Sequence, residues 1–139
     1  MGSFIQQSLF LVLLSVMLAS LTFFIHPEPP GLEEKSPWAM SIIDIQNYES
    51  EILWVDTRKE TDFHSGHITG AILLDEENWD EGFENFLMEW DGESRIVLYC
   101  DSLECGKSAN TAKLLRDDYG IEHVYYLIGG WNAWKESQK

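Results

Sequence analysis

Residues 8–25 read SLFLVLLSVMLASLTFFI, with no charge, no proline and no glycine. As a helix, these eighteen residues span about 27 Å, close to the hydrocarbon core of a bilayer. His26-Pro27-Glu28-Pro29-Pro30-Gly31 ends such a helix, because proline cannot continue it. The run therefore reads as a transmembrane anchor or an uncleaved signal. A cleaved signal peptide fits less well, since no Lys or Arg precedes the run and no clear A-x-A site follows it. A buried core helix is the remaining alternative, and few core helices carry so long an uncharged run. The expected division is a short tail at residues 1–7, the anchor at 8–25, a linker at 26–37 and one domain at 38–139. The linker is proline-rich, acidic and without apolar periodicity. About a hundred residues remain for the domain, enough for a core of its own.

The positive-inside rule has little to read here. The first lysine is Lys35, and Glu28, Glu33 and Glu34 precede it. Nothing basic holds that flank in the cytoplasm. The expectation is a short cytoplasmic N-terminus and an extracytoplasmic domain, periplasmic in a Gram-negative bacterium. The anchor implies contact with the membrane and makes a membrane protein a candidate partner.

Charge excludes other partners. Lys and Arg number 9 against 24 Asp and Glu, for a net charge of -15. No basic patch is visible, so nucleic acid is not an expected partner. An anionic membrane surface suits the soluble part poorly. Apolar residues make up 45% of the chain, which separates it from disordered acidic chains. Two cysteines and four scattered histidines do not make a closed zinc site, so no metal or cofactor is expected.

Within the domain, short apolar runs alternate with helical patterns. Ile52-Leu53-Trp54-Val55, Ala71-Ile72-Leu73-Leu74, Ile96-Val97-Leu98-Tyr99 and residues 123–127 read as strands. Residues 61–65 read as one helical turn. Residues 75–93 are acidic, with Trp79, Phe83, Phe86, Leu87 and Trp90 at helical spacing as a core face. Residues 108–119 form a helix with Ala112, Leu114 and Leu115 apolar and Gly120 as its C′ residue. Residues 131–139 form a last helix. This alternation predicts an α/β fold with a parallel sheet covered on both faces. Ligands of such sheets bind beyond the carboxyl ends of the strands.

Cys100 stands at such an end. Tyr99-Cys100-Asp101-Ser102-Leu103-Glu104-Cys105-Gly106-Lys107-Ser108 runs from a strand through a loop into a helix start. Amides near a helix N-terminus favour an anion and lower a thiol pKa. A thiolate there is a nucleophile. Lys107 adds a positive charge, while Asp101 and Glu104 oppose it. A buried, inert cysteine is the bland alternative.

Four pieces, in order, resemble a rhodanese-like domain: Val55-Asp56-Thr57-Arg58 with Asp62-Phe63; Gly66-His67-Ile68-Thr69-Gly70-Ala71; the strand from Ile96 into Cys100; and Leu127-Ile128-Gly129-Gly130-Trp131-Asn132-Ala133-Trp134. The resemblance covers nearly all of the soluble part. It implies a three-layer fold with a five-stranded parallel sheet. It also implies that Cys100 takes sulfane sulfur from a small donor such as thiosulfate and holds it as a persulfide. Loop amides cradle that persulfide, and a thiol acceptor or other thiophile receives the sulfur. Asp56 and Arg58 are expected as a structural pair below the loop, with a direct substrate contact by Arg58 as the alternative. His67, Gly70, Gly129 and Gly130 are expected at turns.

The loop departs from the family pattern. The family places an arginine five residues after the cysteine and a serine at the sixth; here those positions hold Cys105 and Gly106. The helix pattern fits better at Ser108, Thr111, Ala112 and Leu115, which makes the loop two residues longer. Lys107 is its only cation, a point charge rather than a fork. Cys105 either resolves an oxidised Cys100 as a disulfide or packs under the loop. Three functions stay open: a sulfurtransferase using Cys100, a thiol–disulfide redox protein using both cysteines, and a non-catalytic binding module. A phosphatase of the related cysteine-loop type fits less well without a loop arginine.

Overall fold

The computed structural model describes residues 6–8, 36–48, 51–102 and 106–139. All of the apolar run 8–25 but Ser8, and residues 26–35 of the linker, lie outside the described residues. Among the described residues no helix is long and apolar enough to cross a membrane. The unit Ser36–Lys139 is compact on its own.

Five strands, β1 (Ala39–Met40), β2 (Ile52–Asp56), β3 (Ile72–Leu73), β4 (Arg95–Tyr99) and β5 (Val124–Leu127), form one sheet in the order β1-β5-β4-β2-β3. Every pairing is parallel. Between them run α1 (Ile42–Gln46), α2 (Glu60–Ser65), a 3₁₀ turn (Glu76–Asn78) leading into α3 (Trp79–Glu89), α4 (Lys107–Asp117) and finally α5 (Gly130–Ser137).

The continuous apolar runs of the sequence have their cause in this layering. Successive strand residues point to opposite faces, and helices cover both. On one face Ile96 and Leu98 of β4 meet Phe86 of α3 and Ala112 and Leu115 of α4. On the other, Val97 and Tyr99 meet Ile45 of α1, with Trp131 and Trp134 of α5 packed against them. The register sets Val55 beside Leu98 and Asp56 beside Tyr99, so β2 and β4 end together.

Several expectations are corrected at their edges. The strand read at 71–74 is only two residues long. The acidic stretch 75–93 is a 3₁₀ turn, a helix and a loop rather than one pattern. Trp79, Phe83, Phe86 and Trp90 do join the core, but Leu87 is 49% exposed. The buried line of α3 runs through Gly82 and Phe86. Leu87 is turned about 100° from Phe86 and faces outward. The helix read at 108–119 ends at Asp117. Gly120, at φ 66, turns the chain so that the Ile121 N–H reaches the Leu115 carbonyl at 3.0 Å.

Two elements went unread, β1 and α1. Ser41 caps α1: its hydroxyl accepts from the Asp44 N–H, and the Asp44 carboxylate accepts from the Ser41 N–H at 2.8 Å. This is a capping box with Asp in the place usually held by Glu or Gln.

The two neighbours on α3 should behave oppositely. Phe86→Ala is expected to cost about 3–5 kcal/mol of unfolding free energy. Leu87→Ala should stay within about 0.5 kcal/mol. Urea denaturation followed by tryptophan fluorescence measures both.

Candidate active site

The chain emerges from β4 directly into Cys100, which is 1% exposed. Two neighbouring segments hold the backbone there. From the β2 side, the Tyr99 carbonyl accepts from the Thr57 N–H at 2.9 Å and from the Thr57 hydroxyl at 3.0 Å. From α5, the Trp131 N–H donates to the Cys100 carbonyl at 2.6 Å and the Asn132 N–H to the Asp101 carbonyl at 3.1 Å. A trans peptide points its N–H opposite to its C=O. The amides of Asp101 and Ser102 are therefore turned away from α5.

This approach depends on Gly130. A Cβ there would lie 2.1 Å from the Cys100 carbonyl oxygen. Its φ of 52 is also left-handed, as are those of Gly70 and Gly129 at 80 and 76.

Around the sulfur, the Ser108 hydroxyl donates to Sγ at 3.7 Å, and the Ser102 carbonyl oxygen lies 3.8 Å away. Ser108 sits in the first turn of α4 and is 3% exposed. Cys100 is disulfide-bonded. Leu103, Glu104 and Cys105 lie outside the described residues. Gly106 precedes α4 without a side-chain cap. Lys107 opens the helix, and its charge reaches Glu77. The Lys59 hydrogen bond and charge, with a smaller contribution from Lys107, hold the Glu77 carboxyl below its usual range. Among the described residues no group of His, Cys, Asp and Glu is placed to hold a metal ion.

Asp56 and Arg58 form a buried pair. The Arg58 Nε donates to both Asp56 carboxylate oxygens at 3.0 and 3.1 Å, and its Nη2 to Oδ2 at 2.6 Å. Nη2 also donates to the Gly66 carbonyl at 2.7 Å. The guanidinium carbon lies 4.9 Å from the Trp131 ring centre and 5.7 Å from that of Tyr99. Nη1 faces Asp101 Oδ1 at 3.8 Å. Burial alone would lower the Arg58 pKa; the hydrogen bond and charge of Asp56 outweigh it and hold the group above its ordinary value. Burial likewise pushes the Tyr99 phenol far above its ordinary value. Its oxygen accepts from the Ile68 N–H at 3.1 Å.

The structure thus brings Asp56, Arg58, Cys100, Asp101 and Ser108 together. His67 is exposed and stacks on Phe63 at 3.9 Å, its Nδ1 2.9 Å from the Phe63 carbonyl oxygen. Sequence reasoning missed Thr57 and did not foresee the roles of Trp131 and Gly130. The Gly-Gly-Trp step after β5 was the available signal for the latter two.

Gly130→Ala combines a forced contact with backbone strain. It should lower stability by about 2–4 kcal/mol. Arg58→Met leaves a carboxylate buried without its partner, and a loss of about 3–5 kcal/mol is expected. Chemical denaturation of each variant reads these values, and parent-like stability in either would mean that the contact is dispensable.

Known proteins show where this architecture recurs. The sequence model described as rhodanese-like domain matches residues 38–137. A thiosulfate sulfurtransferase GlpE of Shewanella oneidensis is 34% identical over 83 residues, covering 60% of this chain and 75% of that protein. A protein of Buchnera aphidicola subsp. Schizaphis graminum is 31% identical over 137 residues, covering 94% of this chain and 85% of its own length. The X-ray structure of the rhodanese-like domain of an Anabaena protein superposes with a TM-score of 0.52 at 28% identity, over 65% of this chain and 79% of that one. A Bacillus halodurans protein shares the fold at a TM-score of 0.59 and 24% identity, over 73% of each chain. With only the ends of the folded unit outside the match, the chain belongs to the rhodanese-like domain family.

Proposed function

We propose that the chain is a membrane-anchored sulfurtransferase that carries sulfane sulfur as a persulfide on Cys100. The observation that carries this reading is the setting of Cys100. It ends a central strand, its carbonyl is tied to α5, and the Ser108 hydroxyl donates to its sulfur. Such a setting fixes a nucleophile and offers hydrogen bonds to an anionic sulfur. Relatives named as thiosulfate sulfurtransferases support the same chemistry.

In the reduced protein, the Cys100 thiolate attacks the outer sulfur of a donor. The donor's own bond to that sulfur breaks and its electron pair leaves with the departing group. Cys100 is left as a persulfide anion. A thiophile such as cyanide or a thiol then attacks the terminal sulfur, and the Cys100 thiolate departs.

A second reading is a thiol–disulfide couple, favoured by the disulfide-bonded state of Cys100. Cys105, five positions on, is the other cysteine of the chain. In that reading partner thiols reduce and reoxidise the pair.

The anchor at 8–25 belongs to the proposal, with the linker at 26–37 and the domain at 38–139. The similarity to the Buchnera protein covers 94% of a 139-residue chain and so extends into the apolar run, which supports a shared segment. We propose that the domain lies outside the cytoplasm, since no Lys or Arg follows the run before Lys35. A membrane protein partner fits the anchor.

Mass spectrometry of the dithiothreitol-reduced chain after exposure to a sulfane donor decides the chemistry. One added sulfur on Cys100, lost in Cys100→Ser and largely kept in Cys105→Ser, is expected. Loss of two hydrogens on mild oxidation, with no added sulfur from any donor, selects the redox reading. For the anchor, carbonate extraction should leave the chain in the membrane, and protease added to spheroplasts should cut the domain.

A further inference from the structure

The positive charge beside Cys100 is already in use. Arg58 spends Nε and Nη2 on Asp56 and the Gly66 carbonyl, and it lies close to the rings of Trp131 and Tyr99. Nη1 faces Asp101 Oδ1 at 3.8 Å. Asp101 follows the reactive cysteine in sequence, and its side chain is 60% exposed. Lys107 opens α4 with a point charge rather than a fork that could grip an oxyanion at two places. No arginine stands between Cys100 and Lys107 in the sequence. A donor approaching Cys100 therefore meets an exposed carboxylate on the very next residue, and that carboxylate faces the remaining nitrogen of the Arg58 guanidinium.

Resting on the sulfurtransferase reading, we infer that Asp101 determines donor specificity: it sets the site against dianionic donors such as thiosulfate and toward alkyl persulfides carrying little net negative charge. Thiosulfate brings two negative charges to the Asp101 carboxylate and finds no free arginine fork to grip its oxygens. An alkyl persulfide brings neither demand. The Cys100 thiolate bonds to its terminal sulfur and the donor's S–S bond breaks. The alkyl sulfur leaves with the electron pair and takes up the proton that the terminal sulfur carried. The products are the Cys100 persulfide anion and a thiol, with atoms and charge conserved. An amino-acid persulfide adds an ammonium and a carboxylate whose charges offset each other, far from the two charges of thiosulfate.

The test compares two donors on the full chain in non-ionic detergent, reduced with dithiothreitol and then freed of it. Initial rates of Cys100 persulfidation are read by mass spectrometry with thiosulfate and with cysteine persulfide, for the parent and for Asp101→Asn. The parent should prefer cysteine persulfide. Asp101→Asn should raise kcat/KM for thiosulfate roughly tenfold at low ionic strength. It should leave the rate with cysteine persulfide unchanged or lower. The thiosulfate gain should shrink as salt screens the charge. A parent that prefers thiosulfate, or an equal change for both donors, overturns the inference and leaves the sulfurtransferase reading intact. No added sulfur from either donor overturns both.

Discussion

A single guanidinium ties this fold together. Arg58 touches the end of β2 through Asp56, the turn after α2 through Gly66, the end of β4 through the Tyr99 ring, α5 through Trp131 and the loop through Asp101. These contacts come from stretches of sequence far apart, and they are the same stretches that carry the family resemblance. A buried ion pair stabilises little once desolvation is counted. Its hold lies in direction: hydrogen bonds and flat ring contacts admit few relative placements of these segments, whereas apolar packing admits many. Asp56 outweighs the cost of burial and holds the guanidinium above its ordinary pKa.

From that junction the position of the reactive cysteine follows with little help from side chains. Thr57 grips the Tyr99 carbonyl from one direction, and the first amides of α5 grip the next two carbonyls from another. Those amides would otherwise suit an anion. Here they serve the protein's own backbone, and Gly130 permits the approach. Among the described residues, the Ser108 hydroxyl is what faces the sulfur, and the one buried cation, Arg58, is paired with Asp56.

The fold was readable where a signal is local. Buried strands of a parallel sheet are apolar on both faces, so β2 and β4 stood out as unbroken runs. A two-residue strand has no period to detect, which hid β1 and let β3 be read as four residues, 71–74. Ser41 and Asp44 cap α1, but five residues give a helix almost no periodicity, and it went unread. Leu87 fitted the apolar spacing of α3 and still faces out, because spacing fixes a stripe and not its centre. In the site, the junction at Cys100 and the partnership of Asp56 with Arg58 were legible, two residues apart. The contacts of Gly130 with Cys100 and of Arg58 with Asp101 were not, since each spans some thirty residues or more and depends on how loops meet.

The shortness of β1 and β3 has a consequence for how copies of this protein meet one another. These are the two edges of the sheet, and each offers only two residues of open ladder. An exposed edge is where another chain adds strands and where aggregation starts. Two residues are too few to seed that growth. The feature that makes these strands nearly invisible in the sequence leaves the domain without a template for extension, so copies crowded at high local concentration can collide edge to edge and separate again.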